Sequence, residues 1–254
     1  MKYTDLIFDL YGTLADHKEN EGPLTWKKTA LFYSLMGAQY TGEELKAAFD
    51  KSMAHRESAI RTRPDSRTDV PCEVSFAALF RDRGITDQAD ALGIQAAMVF
   101  RMISTEHLRL YPGALQALGL LREQGYRLWL LSNAQAVFTA KELEYLHLTE
   151  CFDGIYLSSD HGVRKPDVDF FHKLLQEQHL DPQKCLMIGN DRRSDIGGGT
   201  QAGLDTLFLH TNLTPASQAP ADPALKPGVA PTNTHHYEYE GSDWAEIVEL
   251  LMKL

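Results

Sequence analysis

The chain has 254 residues, 43% hydrophobic and 24% charged, which is the composition of a folded globular protein rather than a disordered one. That length accommodates one α/β domain plus a smaller insertion. No apolar run approaches the roughly 20 residues of a membrane span. A formal charge of −10 disfavours nonspecific attraction to nucleic acid or to acidic membranes, although a local cation or metal can reverse the field for a small anion. The three cysteines, Cys72, Cys151 and Cys185, are widely separated and show no Cys-x-x-Cys spacing. They predict reduced thiols, not a disulfide framework or a zinc site. The N-terminus enters a strand-like segment with no basic stretch leading into a cleavable apolar one, so a cytoplasmic protein is expected.

In chain order, the first element is a short apolar run that ends at Asp9 and is stopped by Gly12 and Thr13, which reads as a strand. From about 22 to 108 the pattern is helical. Trp26, Ala30, Leu31 and Leu35 share one face, as do Leu45, Ala48 and Phe49, and Thr41 with Glu44 resembles a capping box. Phe76, Leu79 and Phe80, then Leu92, Ala96, Val99 and Ile103, continue the spacing. The charged, proline-containing stretch from Arg61 to Pro71 reads as a loop.

After Tyr111-Pro112-Gly113 helices and strands alternate. Helices are expected near Ala114–Gln124, Ala136–Leu146 and Phe170–Gln178, and strands near Tyr126–Leu131, Ile155–Leu157, Cys185–Ile188 and Thr206–Leu209. Such alternation means a doubly wound, Rossmann-like parallel sheet with helices on both faces. The helical stretch 16–108 then becomes an inserted cap, with 1–15 and 109–254 forming the α/β core. Within the core segment, 212–237 reads as a proline-rich loop, and Trp244–Leu254 returns to helical spacing.

In open α/β sheets ligands bind beyond the carboxyl ends of the strands. Four such ends carry polar residues: Asp9; Ser132 with Asn133; Lys165 in the loop after the Ile155 strand; and Asn190, Asp191 and Asp195 after Leu186–Gly189. Here the sequence resembles the haloacid dehalogenase-like hydrolases over nearly its whole length. Asp9-Leu-Tyr-Gly-Thr13-Leu resembles the first motif of that superfamily, Leu131-Ser-Asn-Ala134 the second and Arg164-Lys-Pro-Asp167 the third. Ile188-Gly-Asn-Asp-Arg-Arg-Ser-Asp195-Ile resembles the fourth.

The resemblance implies that Asp9 is a nucleophile forming an ester that water hydrolyses. Thr13, Ser132, Asn133 and Lys165 would bind substrate oxygens, with Lys165 offsetting negative charge. It also implies Mg²⁺ held by Asp9, the carbonyl of Tyr11, and the fourth motif through Asn190, Asp191 or Asp195. Three crowded carboxylates would repel one another, and a hard dication relieves that repulsion. The expected substrate is a small anion such as a phosphorylated metabolite, acted on by a monomer or homodimer without nucleic acid or membrane.

Two departures keep alternatives open. Tyr11 stands where phosphatases of the superfamily carry a second aspartate as acid and base. A phenol can donate a proton, so Tyr11 is a candidate catalytic residue, but it is a poor base near neutral pH. Tyrosine there resembles the metal-independent 2-haloacid dehalogenases, whereas the acid-rich fourth motif resembles a phosphatase metal site, with Asn190 in place of the usual aspartate. A non-catalytic member that binds an anion or a partner is a further alternative.

Overall fold

A computed structural model describes residues 2–214 and 234–254. The chain begins with β1 (Asp5–Phe8) and β2 (Ala15–Glu19), then four helices, α1 (Pro23–Leu35), α2 (Gly42–Ile60), α3 (Cys72–Arg81) and α4 (Ala89–Ser104). β3 (Thr105–Leu110), α5 (Ala114–Glu123), β4 (Arg127–Ser132), α6 (Ala136–Tyr145) and β5 (Gly154–Leu157) follow. Then come α7 (Ser158–His161), α8 (Val168–Glu177), β6 (Cys185–Gly189), a π-helical turn at Arg192–Gly197, and α9 (Gly198–Gln201). β7 (Asp205–His210), β8 (His236–Glu240) and α10 (Trp244–Lys253) complete the chain.

Six strands form one parallel sheet in the order β5-β4-β1-β6-β7-β8. Each strand of a buried sheet shows alternate residues to opposite faces, and β1 does so: Leu6 and Phe8 join one apolar cluster, Ile7 the other. The first face packs on α5 and α10 through Leu118, Leu121, Trp244 and Ile247. The second packs on α8 through Phe170, Phe171 and Leu174. β1 is the switch point, because the chain adds β4 and β5 on one side of it and then returns to lay β6 on the other. In such sheets the switch opens a crevice at the carboxyl ends.

Helices α1 to α4 hold a third cluster of their own, in which Tyr33 stacks on Phe80 at 4.0 Å and Trp26 meets Phe100 at 4.7 Å. The Thr41–Glu44 capping box forms reciprocally at the start of α2, with contacts of 3.2 and 2.8 Å.

Three strands escaped the sequence reading. β2 and β3 pair antiparallel, Ala15 to Leu110 and Asp16 to Arg109, as a two-stranded ribbon joining the helices to the sheet. The segment 105–108, expected as helix, is therefore strand. Its partner lies about ninety residues away, so local pattern carries no trace of the pairing. Cross-strand ion pairs, Asp16–Arg109 at 2.7 Å and Lys18–Glu106 at 2.6 Å, hold it. β8 takes residues 236–237 out of the expected proline-rich loop and adds them to the sheet edge. Residues 215–233 of that loop lie outside the described residues. No described helix is long and apolar enough to cross a membrane.

Candidate active site

Asp9 sits one step past β1, where its amide still donates to the Ile188 carbonyl at 3.0 Å. The register aligns Phe8 with Leu130 and Ile188, so Ser132 and Asn190 emerge beside Asp9 from the two neighbouring strands. The apolar residues before each of them are fully buried, which leaves the polar ones to line the crevice. Asp9 itself is 8% exposed.

Lys165 arrives from the loop between β5 and α8 and is buried. Its ammonium has three protons and three acceptors: Asp9 Oδ1 at 2.8 Å, Asp195 Oδ1 at 2.7 Å and the Leu131 carbonyl at 2.7 Å. Burial opposes the lysine's charge, but the carboxylates of Asp195 and Asp9 outweigh it and hold the ammonium above its usual range. Burial pushes the Asp195 carboxyl up to about 7, with Asp9 adding to the rise and Lys165 opposing it. The repulsion expected between Asp9 and Asp195 is therefore relieved within the chain, by a lysine placed between them.

Asn133 does not face outward as a free donor. Its amide accepts from the Lys165 backbone N–H at 2.8 Å and donates to the Lys165 carbonyl at 2.9 Å. A bidentate grip of this kind fixes where the lysine leaves its loop.

The remaining contacts of Asp9 come from hydroxyls. Ser132 donates to Oδ1 at a long 3.4 Å, and Thr13 approaches Oδ2 at 3.2 Å. Thr13 also lies 3.3 Å from Asn190 Oδ1, yet a hydroxyl has a single proton and serves one acceptor at a time. The turn that presents Thr13 needs Gly12, whose φ is +84° and where a Cβ would fall 2.2 Å from Asn190 Nδ2. Gly189 meets a similar demand, since a Cβ there would fall 2.3 Å from Asp195 Oδ2.

Tyr11 and the two fourth-motif aspartates have hydrogen-bond partners of their own. The Tyr11 phenol donates to Glu142 Oε2 on α6 and lies 3.1 Å from Thr139 Oγ1. Glu142 in turn pairs with Arg101 of α4 at 2.6 Å. Burial, reinforced by the charge of Glu142, holds the phenol well above its ordinary value. A proton committed in this way is poorly placed for transfer to a leaving group. Asp191 Oδ1 accepts from the amides of Arg193 and Ser194 at 2.7 and 2.8 Å, capping the π-helical turn. Asp195 divides its oxygens between Lys165 and the Asp191 amide, the latter at 3.0 Å.

The sequence reading missed the role of the loop between α2 and α3. Its Asp69 accepts from Ser158 Oγ at 2.5 Å and from Gln135 Nε2 at 2.9 Å, and Gln135 Oε1 accepts from the Cys72 amide. Thr68 bridges to Val163, and the Arg67 carbonyl accepts from the Arg164 amide at 2.8 Å. The loop is thus fastened beside Lys165, with a cleft of about 440 Å³ between them. A run of charged residues between two helices was the available signal, and it gives no indication of which strand end the run reaches.

The model of the haloacid dehalogenase-like hydrolases matches residues 6–203, from β1 through the fourth motif. The chain belongs to the haloacid dehalogenase-like hydrolases. Among relatives in this family, the HAD-hydrolase YfnB of Bacillus subtilis is 26% identical over 84% of this chain and 87% of its own length. The glyceraldehyde 3-phosphate phosphatase of Methanothermobacter thermautotrophicus is 31% identical over 44% of this chain, which spans 49% of that relative. The pyrimidine 5'-nucleotidase YjjG of Escherichia coli is 33% identical over 40% of this chain and 45% of its own. The chain thus spans about half or less of the length of these two. Among solved structures, the 2-haloacid dehalogenase of Pseudomonas syringae superposes with a TM-score of 0.64 at 21% identity, covering 99% of both chains. Magnesium-bound YfnB superposes at 0.53 with 22% identity, covering 99% of this chain and 100% of its own. At these identities the superpositions speak to fold alone.

No group of three or more His, Cys, Asp or Glu side chains among the described residues is placed to hold a metal. Asp9 Oδ2 and Asn190 Oδ1 meet at the Thr13 hydroxyl and would hold a cation there, with the Tyr11 carbonyl as the further oxygen that the first motif implies. Two oxygens converging on the single proton of Thr13 leave an acceptor underserved, and a hard cation that prefers oxygen suits that pair. The donors fit, with less negative charge than a second carboxylate would bring.

Proposed function

We propose that this hydrolase cleaves phosphate monoesters of small metabolites, with Asp9 as the nucleophile. The observation that carries the reading is the buried contact between Lys165 and Asp9 Oδ1 at the end of the central strand. It turns the carboxylate and leaves Oδ2, beside Thr13, with the less committed lone pairs. The Asp9 carboxylate attacks phosphorus and forms a bond to it, while the bond from phosphorus to the ester oxygen breaks and the departing alkoxide takes a proton from water, leaving hydroxide. A second water gives a proton to that hydroxide as its oxygen bonds to the same phosphorus, the bond from phosphorus to Asp9 breaks, and inorganic phosphate leaves with Asp9 restored. Ser132 and Thr13 donate to the phosphoryl oxygens, and Lys165 offsets charge around Asp9. When bound at Asp9, Asn190 and the Tyr11 carbonyl, Mg²⁺ supplies positive charge to those oxygens. Helices α1 to α4 serve as the cap, its α2–α3 loop closing one side. The names of the phosphatase and nucleotidase relatives, which denote small phosphorylated compounds, support the same class.

A second reading, metal-independent 2-haloacid dehalogenation, is favoured by Tyr11 and by Asn190, since halide departs without a proton. Purified protein offered p-nitrophenyl phosphate and 2-chloropropionate, each with Mg²⁺ and with EDTA, separates the two. Phosphate release lost with EDTA is the expected result, and chloride release that survives EDTA would replace the first reading with the second.

Because its phenol is held by Glu142, Tyr11→Phe is expected to cost roughly 1–2 kcal/mol of stability. It should change the rate of phosphate release by less than about threefold. A loss of about 10²-fold or more, the size of a missing general acid, would mean that the phenol does move a proton.

Asn190→Asp is expected to lower the melting temperature in EDTA, because it adds a carboxylate beside Asp9. The same change should tighten Mg²⁺ binding by about tenfold in calorimetry, through the added ligand charge. Unchanged Mg²⁺ affinity would remove residue 190 from the metal site.

A further inference from the structure

The turn after β1, which presents Thr13 to Asp9, is held partly from outside itself. Within it, the amides of Thr13, Leu14 and Ala15 donate to the Leu10 carbonyl at 3.3, 2.9 and 2.9 Å, and the Gly12 amide donates to the Ala15 carbonyl at 2.7 Å. The Gly12 carbonyl instead accepts from Thr211 Oγ1 at 2.7 Å, and the Leu14 carbonyl from the Tyr111 amide at 3.0 Å. Thr211 follows β7, which stands two strands from β1 in the sheet. Its loop therefore reaches past β6 to touch the turn.

A hydroxyl has a single proton. That of Thr211 goes to Gly12, while its oxygen accepts from the Leu213 amide at 3.4 Å. The Tyr111 phenol stands beside the same hydroxyl, and its own proton goes to Asn212 Oδ1 at 2.6 Å. The loop is braced as well: the Thr211 amide donates to Thr214 Oγ1 at 2.9 Å, and the Thr214 hydroxyl donates to the Leu209 carbonyl at 3.1 Å. Asn212 also donates to Asp16 Oδ1 at 3.2 Å. Asp16 on β2 and Tyr111 just after β3 mark the two places where the chain passes between the sheet and helices α1 to α4. One short loop thus ties both crossings to the turn beside the nucleophile.

A peptide group is planar, so holding the Gly12 carbonyl also fixes the Thr13 amide and the direction in which Thr13 leaves the turn. Gly12, at φ +84°, has no side chain to steady it. Thr13 Oγ1 lies 3.2 Å from Asp9 Oδ2 and 3.3 Å from Asn190 Oδ1, contacts that a shift of about an ångström would break. Misplacing reacting groups by about 1 Å costs up to about 10²-fold in rate.

We infer that Thr211 is a positioning residue for hydrolysis at Asp9: through the Gly12 carbonyl it holds the turn that presents Thr13 to the nucleophile. The inference rests on Asp9 being the nucleophile, as in the function proposed above.

Thr211→Val removes the hydroxyl at nearly constant shape. With p-nitrophenyl phosphate and Mg²⁺ it should lower kcat about tenfold and leave KM within about threefold. Thr211→Ser, which keeps the donor, should recover most of kcat. Tyr126→Phe removes a comparable hydroxyl-to-carbonyl contact, to Leu251 at 3.3 Å, at the amino end of β4. It should leave kcat unchanged, which separates positioning from a general loss of stability. Hydrogen exchange of residues 9–16, followed by mass spectrometry without substrate, should quicken about tenfold in Thr211→Val, as for one lost hydrogen bond, and stay unchanged in Thr211→Ser. An unchanged kcat in Thr211→Val, a serine variant as slow as the valine one, or unchanged exchange at 9–16 would each overturn the inference. Failure of the unaltered protein to release phosphate would count against the phosphohydrolase reading, while the exchange comparison would still decide whether Thr211 holds the turn.

Discussion

Asp9→Asn protein should fold normally and release phosphate at least about 10⁴-fold more slowly than the unaltered chain, the scale of removing a nucleophile. The physical basis is that an amide oxygen does not form a stable ester with phosphorus. The fold should tolerate the change because Lys165 keeps two of its three acceptors, Asp195 and the Leu131 carbonyl. The melting temperature should therefore move little, since the lost contact with Lys165 is offset by the loss of repulsion between Asp9 and Asp195. Phosphate release and thermal melting measured on one preparation check both halves. Activity within tenfold of the unaltered protein would remove Asp9 from the chemistry, whatever the melting curve shows.

Lys165→Met should damage both fold and function. It removes the ammonium held between two buried carboxylates, and breaking a buried pair by deleting one partner costs roughly 3–5 kcal/mol. For a chain of this size that corresponds to a fall in melting temperature of about 10 °C. Activity should fall by about 10²-fold or more, because the carboxylate of Asp9 loses the contact that orients it. The double variant Lys165→Met with Asp195→Asn should recover part of the stability, since one of the stranded charges has gone, but not the activity. A double variant destabilised by the sum of the two single changes, or by more, would mean that Lys165 and Asp195 are not coupled as their 2.7 Å contact implies.

The parallel sheet and the polar strand ends were legible because each is local. Leu6–Phe8, Leu128–Leu131 and Leu186–Ile188 are contiguous apolar runs, each stopped by a polar residue or glycine. Burial of such a run needs nothing from elsewhere in the sequence to be recognised. The membership of the chain in the haloacid dehalogenase-like hydrolases was legible for the same reason, since its four motifs are short contiguous strings.

Contacts between distant segments were not legible. β2 and β3 pair across the four intervening helices, and β8 joins the sheet beyond the proline-rich stretch. At the site, Asp195 and Lys165 were both expected near Asp9, but their order in space was not. Whether two carboxylates face each other, a metal or an ammonium depends on side-chain positions to within about an ångström, and Coulomb energies vary steeply over that distance. The commitment of the Tyr11 phenol to Glu142, and of the Asn133 amide to the backbone of Lys165, is set the same way. So is the placing of Arg67 opposite Arg164. Residue order carries the apolar periodicity that builds the sheet, whereas the partner of each polar group is chosen only when packing brings together segments that lie tens to hundreds of residues apart.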